Sequence, residues 1–249
     1  TLALGVIDRS LLPIGYSGRE KLQYDVSWSG GIKLGELYLE INLLNAIKEE
    51  YEIRSLVTTK NGAIHYLYPT EDVHVTKVRG EDRLPFHAEI WQKEGYNYRA
   101  HKVVEYDQDK LEVKEIRNNN VDRAHVIKGK TNNEFSAFFN SRLMPFTVGE
   151  QFIVPTFADH KRAEVVVNTV ARKELKDSIL GTVQTIEIMP LLTFEGLYEK
   201  KGDTVIWYTD DECRVPVKIT SKIALGSLTA RLAAYENPAC SRYPTIKKK

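Results

Sequence analysis

Short runs in which apolar and polar residues alternate strictly, each ending at a polar turn, limit the fold of this chain more than any other feature. In residues 21–28 one side of the run carries only apolar side chains: Leu22, Tyr24, Val26 and Trp28. A period of two is typical of a β-strand with one buried face. A glycine-containing turn follows and the alternation resumes at Leu37, so we expect residues 21–44 to form a β-hairpin.

The same pattern recurs along most of the chain. Alternating runs cover residues 51–59, 72–78, 86–93, 96–106, 110–116, 151–156, 163–173, 182–189 and 204–235, the last with three strands. Short polar turns separate them, whereas the apolar signal fades over residues 118–131, which we expect to be a surface loop. About thirteen strands are too many for a flat sheet. The predicted fold is all-β, either a large curved antiparallel sheet or two packed half-barrels.

One short helix is predicted near the middle of the chain. It covers residues 134–143, where Asn132 or Asn133 can cap its start and Pro145 follows its end. Phe135, Phe138, Phe139 and Leu143 give this helix an apolar face. We expect it to brace the sheet; the alternative is an aromatic gate over a ligand cavity.

The helix also divides the chain. We expect an N-terminal extension at residues 1–17, a single β-rich domain at 18–235 with halves at 18–131 and 132–235, and a C-terminal tail at 236–249.

Charge and hydropathy exclude two kinds of partner. A formal net charge of +1 over 249 residues argues against nucleic acid, which needs a concentrated basic surface. The one basic cluster, Lys247 to Lys249, is interpreted as a solvated tail. No run of about 20 apolar residues exists, so we expect no transmembrane segment.

The chain has two cysteines, Cys213 and Cys240. A disulfide between them would attach the tail to the sheet and requires an oxidising compartment. Two unrelated free thiols are the alternative. The spacing does not fit a zinc site, because no CxxC or HxxxH pair occurs.

Sequence motifs for catalysis or cofactor binding are missing. Neither GxSxG, GxGxxG nor GxxxxGK[ST] occurs, so we expect a protein that is not an enzyme and has no cofactor and no metal site. Asp210 and Asp211 are predicted to form a turn between two strands. A weaker alternative is a carboxylate-dependent hydrolase that uses one of them with Glu187. His74, His87 and His101 would resemble a zinc site if they converged, but solvent-facing strand positions are the favoured interpretation.

Three groups of residues in order along the chain resemble a known family. They are Gly18-x-Glu20-Lys21-Leu22-x-Tyr24-Asp25-Val26-Ser27-Trp28 with Gly31-Ile32-x-x-Gly35; Glu134-Phe135-Ser136-Ala137 before Arg142; and Trp207-x-Thr209-Asp210-Asp211 with Arg214-x-Pro216-Val217 and Gly226-Ser227-Leu228-Thr229-Ala230. Together they resemble the exported bacterial family called domain of unknown function 3108. The resemblance spans residues 18–232 and implies a β-rich, periplasmic or secreted protein whose leader has been removed, with no catalytic residues to transfer.

These observations predict a non-catalytic protein of the bacterial cell envelope that binds an apolar or glycan ligand, a lipid being one candidate, in a concave sheet face. The candidate ligand-binding residues are Trp28, Trp91, Phe138, Phe139 and Trp207. The alternative is a structural subunit of an envelope or extracellular assembly that binds an envelope protein partner through its strand edges.

Overall fold

The computed structural model describes residues 2–29, 31–117, 120–193, 204–222 and 226–247. Its strands are β1 (Arg19–Trp28), β2 (Ile32–Asn45), β3 (Glu50–Thr58), β4 (Thr70–Arg79), β5 (Leu84–Glu94), β6 (Tyr98–Asp107), β7 (Glu112–Arg117), β8 (Asn120–Val126), β9 (Gln151–Ala158), β10 (Lys161–Ser178), β11 (Gly181–Thr193), β12 (Thr204–Thr209), β13 (Pro216–Lys222), β14 (Ser227–Glu236) and β15 (Thr245–Lys247). The helices are α1 (Leu12–Gly15), which follows a 3-10 turn at Arg9–Leu11, and α2 (Glu134–Ser141). The predicted all-β class is confirmed.

The strands form one large antiparallel sheet. Its order is β8-β7-β6-β5-β4-β3-β2-β1-β14-β13-β12-β11-β10-β9, and β15 adds to β14. Almost every neighbour in this order is also a neighbour along the chain, so most connections are hairpins. The exception is the pairing of β1 with β14, which joins strands from the two predicted halves in one sheet.

Alternation within the strands positions the core. In β1, Leu22 and Tyr24 are buried, and they pair with Leu39 and Leu37 of β2 on the same face. This face continues across β3 at Ile53, which is fully buried. Burial of side chains two residues apart is what the period-two pattern of the sequence requires.

The sheet curves so strongly that its two ends come into contact. Phe157 of β9, at one end of the strand order, packs edge-to-face on Tyr106 of β6, with ring centroids 6.2 Å apart. It also contacts His125 of β8, at the other end, with centroids 5.3 Å apart. The predicted curved antiparallel sheet therefore describes the fold.

Helix α2 packs inside this curve. Asn133 caps its start, since its Oδ1 accepts from the Ser136 backbone nitrogen at 2.9 Å. Phe139 and the following Leu143 are fully buried in the main core with Tyr24. The helix thus braces the sheet, while its first residues remain beside a cavity described below.

Both chain ends are attached to the sheet. The backbone of Ala3 and Gly5 hydrogen-bonds to Ile153 of β9. Cys213 and Cys240 form a disulfide with Cα atoms 5.7 Å apart, and both residues are fully buried. The disulfide and β15 hold much of the predicted tail against the sheet.

Two strands lie where none was predicted. β8 falls inside residues 118–131, the predicted surface loop, and β15 falls in the predicted tail. Six of the seven β8 residues are exposed, so backbone pairing with β7 forms the strand without an apolar pattern that could reveal it. Lys248 and Lys249 of the basic cluster lie outside the described residues. Among the described helices, none has the length and apolar character needed to cross a membrane.

Candidate functional site

A groove lies on the inner face of β4 to β7, the face that packs against α2 and the turn between β9 and β10. It has two cavities that share Lys102 and His160 in their walls. The smaller, about 100 Å³, is lined by residues that include Ile90, Val104, Phe135 and Phe157 and the polar His74, Asn133 and Glu134. The larger, about 220 Å³, is more polar and is lined by residues that include Gln92, Tyr98, Arg117, Asp122 and Arg123. The groove is therefore more polar at the larger cavity than at the smaller one.

A buried carboxylate lies in the wall of the larger cavity, in contact with the two residues that both cavities share. Glu115 of β7 is 2% exposed and lies across from Val104 of β6. Its Oε2 is 2.7 Å from the Lys102 Nζ, and its Oε1 is 2.8 Å from the His125 Nε2. The His160 Nδ1 lies 2.7 Å from Oε1 and 2.9 Å from Oε2. We name Glu115, Lys102, His125 and His160 the Glu115 cluster.

The cluster draws its members from three parts of the fold. Lys102 and Glu115 are diagonal neighbours on β6 and β7, within reach of a long side chain. His125 of β8 pairs with Val113 of β7. Val113 lies two residues before Glu115, so all three side chains are on the inner face. His160 belongs to the β9–β10 turn and arrives from the opposite end of the sheet order. The curvature of the sheet is what completes the cluster.

The basic neighbours keep Glu115 ionised. Burial by itself raises the pKa of this carboxyl, but hydrogen bonds from Lys102, His160 and His125 outweigh burial and lower its pKa to about 2. A carboxylate with this pKa is fully charged at neutral pH. The imidazole rings of His125 and His160 are nearly parallel, with centroids 6.3 Å apart and an interplanar angle of 20°.

Four exposed tyrosines lie near the polar end of the groove, and one of them, Tyr98, lines the larger cavity. We name Tyr66, Tyr68, Tyr96 and Tyr98 the tyrosine rim; they are 86%, 49%, 67% and 47% exposed. The Tyr96 hydroxyl donates to the Tyr66 carbonyl at 2.6 Å, and the Tyr68 hydroxyl lies 3.4 Å from the Glu94 Oε2. Glu94 in turn pairs with Tyr98 across β5 and β6. Tyr98 also lines the larger cavity, which connects the rim to the Glu115 cluster.

The family model described as "Protein of unknown function (DUF3108)" matches residues 23–233, most of the chain. The chain belongs to this family. The DUF3108 protein resembles the crystal structure of a beta-barrel-like protein of domain of unknown function DUF1849 from Brucella abortus, with a TM-score of 0.61 and 10% identity over 88% of this chain and 97% of that chain. At this identity the likeness concerns the fold alone.

A second solved structure, the hypothetical protein CT021 from Chlamydia trachomatis, aligns over 92% of the DUF3108 chain and 93% of its own at 9% identity. Its TM-score of 0.35 is too low to support an argument about the fold. No curated protein matches the sequence.

The five aromatic residues predicted to bind a ligand lie at separate places in the DUF3108 fold. Phe138 and Phe139 contact each other in the core, with ring centroids 5.1 Å apart. Trp91 stacks on His101 at 5.4 Å, and the Trp207 Nε1 donates to Glu187 at 2.8 Å. Trp28 on β1 is four strands from Trp91 on β5, about 19 Å across the sheet.

The predicted acidic residues have individual partners. Asp210 and Asp211 lie between β12 and β13, where Asp211 accepts from the Cys213 backbone nitrogen at 2.9 Å. Asp210 pairs with Arg172 at 2.8 Å. Glu187 pairs with Lys173 at 3.0 Å in addition to Trp207. None of the three acids lines either cavity of the groove.

The histidines considered for zinc are divided between the two faces. His74 lines the smaller cavity on the inner face. Its partner on β5 is Ile90, whereas His87 and His101 flank Glu89, whose side chain lies on the outer face. His101 also contributes to the wall of the larger cavity. Sequence reasoning missed Glu115, His125 and His160 as a group. One signal was available in the sequence. Glu115 lies two residues after Val113, so an acidic side chain occupies a strand position that should share the buried face of Val113.

Proposed function

We propose that this DUF3108 protein is a non-catalytic, exported protein of the bacterial cell envelope that binds a glycan in the inner-face groove. The observation that carries the proposal is the cavity of about 220 Å³, whose walls include Glu115, Lys102 and Tyr98. It joins charged hydrogen-bonding groups to the tyrosine rim. Sugar hydroxyls hydrogen-bond well to charged side chains, and the C–H faces of sugar rings pack on aromatic rings.

The size of the cavities favours a glycan over an apolar ligand. Pockets that enclose a small molecule usually measure about 300–1,000 Å³. Both cavities are smaller, at about 100 and 220 Å³. A ligand would therefore extend out of the groove into solvent. That position suits hydroxyl groups, whereas an acyl chain gains affinity only where it is removed from water.

The ionisation of Glu115 supports a binding role over catalysis. A general acid or base works best with a pKa near the working pH. The pKa of Glu115 is about 2, so this carboxylate is a weak base at neutral pH and has no proton to donate. The Glu115 carboxylate is suited instead to the role of a hydrogen-bond acceptor that stays charged.

Export is supported by the disulfide between Cys213 and Cys240, because disulfides persist mainly in oxidising compartments. The family resemblance points the same way. Fractionation of the source bacterium, followed with an antibody against the chain, should place the protein outside the cytoplasm. Recovery in the cytoplasmic fraction with two free thiols would overturn this part of the proposal.

Binding can be tested by calorimetric titration of tag-free protein with a panel of neutral and acidic oligosaccharides, with phosphatidylglycerol vesicles as the apolar arm. We expect saturable binding of at least one saccharide. The variant Y98A should weaken it by about two- to tenfold, since an aromatic contact of about 0.5–1.5 kcal/mol is lost.

The matched control is W91A, which removes an exposed aromatic ring from the outer face of β5. Its saccharide affinity should equal that of the unmodified protein. Binding to vesicles without binding to any saccharide, or equal effects of Y98A and W91A, would contradict the glycan assignment.

A second candidate function, a structural subunit of an envelope assembly, is favoured by β8. This strand ends the sheet order and carries Val121 and Val126, which are 60% and 85% exposed. Edge strands with exposed apolar residues are sites for strand addition. Cross-linking in intact cells should trap a partner that the charged variant V121K no longer captures. A chain that stays monomeric and uncross-linked would exclude this function.

A further inference from the structure

Three side chains of the Glu115 cluster converge as metal ligands do. One ligand atom each from Glu115, His125 and His160 lies within 4.8 Å of the other two. Across the described ranges, no other three His, Cys, Asp or Glu residues meet this condition. Glu115 is buried and His125 is half-buried, so two of the three positions are held by the fold.

Both oxygens of Glu115 lie close to the His160 Nδ1, Oε1 at 2.7 Å and Oε2 at 2.9 Å, but their other neighbours differ. Oε1 lies 2.8 Å from the His125 Nε2 and 2.7 Å from the His160 Nδ1. Oε2 accepts the Lys102 ammonium at 2.7 Å. An ion between Oε1 and the imidazoles would leave Lys102 in place. Carboxylate ligands are commonly oriented by such a hydrogen bond to the oxygen that does not face the metal.

The change needed to admit an ion is small. Ligand atoms about 2.0–2.2 Å from a tetrahedral zinc ion stand roughly 3.4 Å from one another. Because the Glu115 Oε1 lies 2.8 Å from the His125 Nε2 and 2.7 Å from the His160 Nδ1, each pair of atoms would have to separate by roughly 0.6–0.7 Å. His160 can supply this movement because it is 45% exposed and lies in the β9–β10 turn. Each imidazole would also carry its proton on the nitrogen that faces away from the ion.

The donor set selects the class of ion. Two imidazoles and one carboxylate suit zinc and its transition-metal neighbours, whereas calcium and magnesium prefer ligands that are all oxygen. Three protein ligands leave the fourth zinc position for water or another small ligand from the groove.

We propose that Glu115, His125 and His160 bind a divalent transition-metal ion of the zinc class. The ion connects β7 and β8, at one end of the sheet order, to the β9–β10 turn at the other. The bound ion therefore holds the two ends of the curved sheet together beside the groove. The proposal does not depend on the identity of the groove ligand.

A second histidine and glutamate group provides a control. On the outer face, Glu89 lies 2.8 Å from the His101 Nε2 and 3.9 Å from the His87 Nε2. It has the same residue types as the proposed site, but its three ligand atoms do not all lie within 4.8 Å of one another. His101 and His160 are similarly exposed, at 47% and 45% of their side chains.

The test is a calorimetric titration of chelator-treated, tag-free protein with Zn²⁺ at about pH 7.5, above the usual histidine pKa of about 6.5. We expect one Zn²⁺ per chain and no saturable binding of Mg²⁺ or Ca²⁺. H160A should weaken Zn²⁺ binding by about tenfold or more, and H101A should leave it unchanged. Zn²⁺ should raise the melting temperature of the unmodified protein and of H101A more than that of H160A.

Co²⁺ supplies a second measurement that reports the ligands directly. Its visible absorption should be intense, as for a four-coordinate ion, and should be lost in the double variant H125Q/H160A. H160A affects an exposed turn residue, so correct folding can be verified from its unfolding curve without metal. Equal Zn²⁺ affinities of H160A and H101A, or Zn²⁺ binding no tighter than that of Mg²⁺, would overturn the metal site. Saccharide titrations of metal-free protein test the glycan proposal separately.

Discussion

Arg142 and Glu20 form a two-bonded ion pair in which neither side chain is exposed to solvent. The Arg142 Nη1 lies 3.1 Å from Oε1 and its Nη2 lies 2.5 Å from Oε2. The pair links the end of α2 to β1. The Tyr235 hydroxyl also donates to Glu20 at 3.2 Å, and Arg142 donates to the Gly15 carbonyl at 2.8 Å. These bonds compensate in part for removing two charges from water.

Removal of one member of this pair should destabilise the fold severely. Arg142→Met leaves the Glu20 charge buried without its counter-ion, and we expect the free energy of unfolding to fall by about 3–5 kcal/mol. Urea denaturation measures the loss. The double variant E20Q/R142M should lose less than the two single variants added together, because no uncompensated charge remains.

The exposed pair of Arg9 and Glu81 is the matched control. Its side chains are 68% and 65% exposed. R9M should change the free energy of unfolding by no more than about 1 kcal/mol. A loss in R142M as small as that in R9M would contradict the assigned importance of the buried pair.

Glu36 should make stability depend on pH in the acid range. A hydrogen bond from Lys33 at 2.7 Å lowers the pKa of this carboxyl below its usual 4.5; burial opposes the change, while Tyr38 and Asn61 add to it. Because the folded-state pKa is the lower one, the ionised form stabilises the fold above pH 4.5. This contribution is lost as the pH falls through the folded-state pKa.

The variant E36Q tests the sign of this effect. At neutral pH it should be less stable than the unmodified protein by about 1–2 kcal/mol, since charge-assisted hydrogen bonds are replaced by neutral ones. The difference in free energy of unfolding between E36Q and the unmodified protein should become smaller as urea denaturation is repeated at successively lower pH. A difference that grows in acid would mean that folding raises the pKa of Glu36 and does not lower it.

The strands could be predicted because their signal is local. Leu22 and Tyr24 lie two residues apart in the sequence and share a buried face in the structure. Polar turns mark the ends of most runs, so hairpin pairing follows from chain order. β8 was missed for the converse reason: its exposed side chains carry no pattern, and only its backbone pairing with β7 defines it.

The Glu115 cluster could not be predicted because it depends on register and curvature. His125 and His160 are 10 and 45 residues from Glu115 in sequence. A slip of one residue in a strand pairing moves every side chain to the other face. The same uncertainty explains the group of His74, His87 and His101, in which His74 pairs opposite Ile90 and so lies on the other face from His101.

The start of α2 provides a test of helix capping. The sequence left Asn132 and Asn133 as alternatives, and Asn133 is the cap. Its Nδ2 also donates to the Thr76 Oγ1 at 2.7 Å, which ties the helix to β4. Asn133→Ala should cost about 2–3 kcal/mol in urea denaturation, because the cap and a buried hydrogen bond are both lost. Asn133→Ser can still cap the helix but is too short to reach Thr76, so it should cost about 1 kcal/mol. Equal losses in the two variants would mean that the cap itself contributes little.

The disulfide should contribute through the tail that it attaches. Cys213 and Cys240 are 27 residues apart, and closing a loop of this length stabilises a fold by about 3–4 kcal/mol in the chain-entropy model. The variant C213S/C240S should therefore unfold at a lower urea concentration than the oxidised protein. A reducing agent should lower the midpoint of the unmodified protein toward that of the variant and leave the variant unaffected.

Tyr243, whose hydroxyl donates to Asp211 at 3.1 Å, supplies a second connection of the tail that survives reduction. Adding Y243F to C213S/C240S should thus release the tail further, seen as faster amide hydrogen exchange over residues 237–247. Unchanged exchange in the combined variant would show that the bond between Tyr243 and Asp211 does not help to hold the tail.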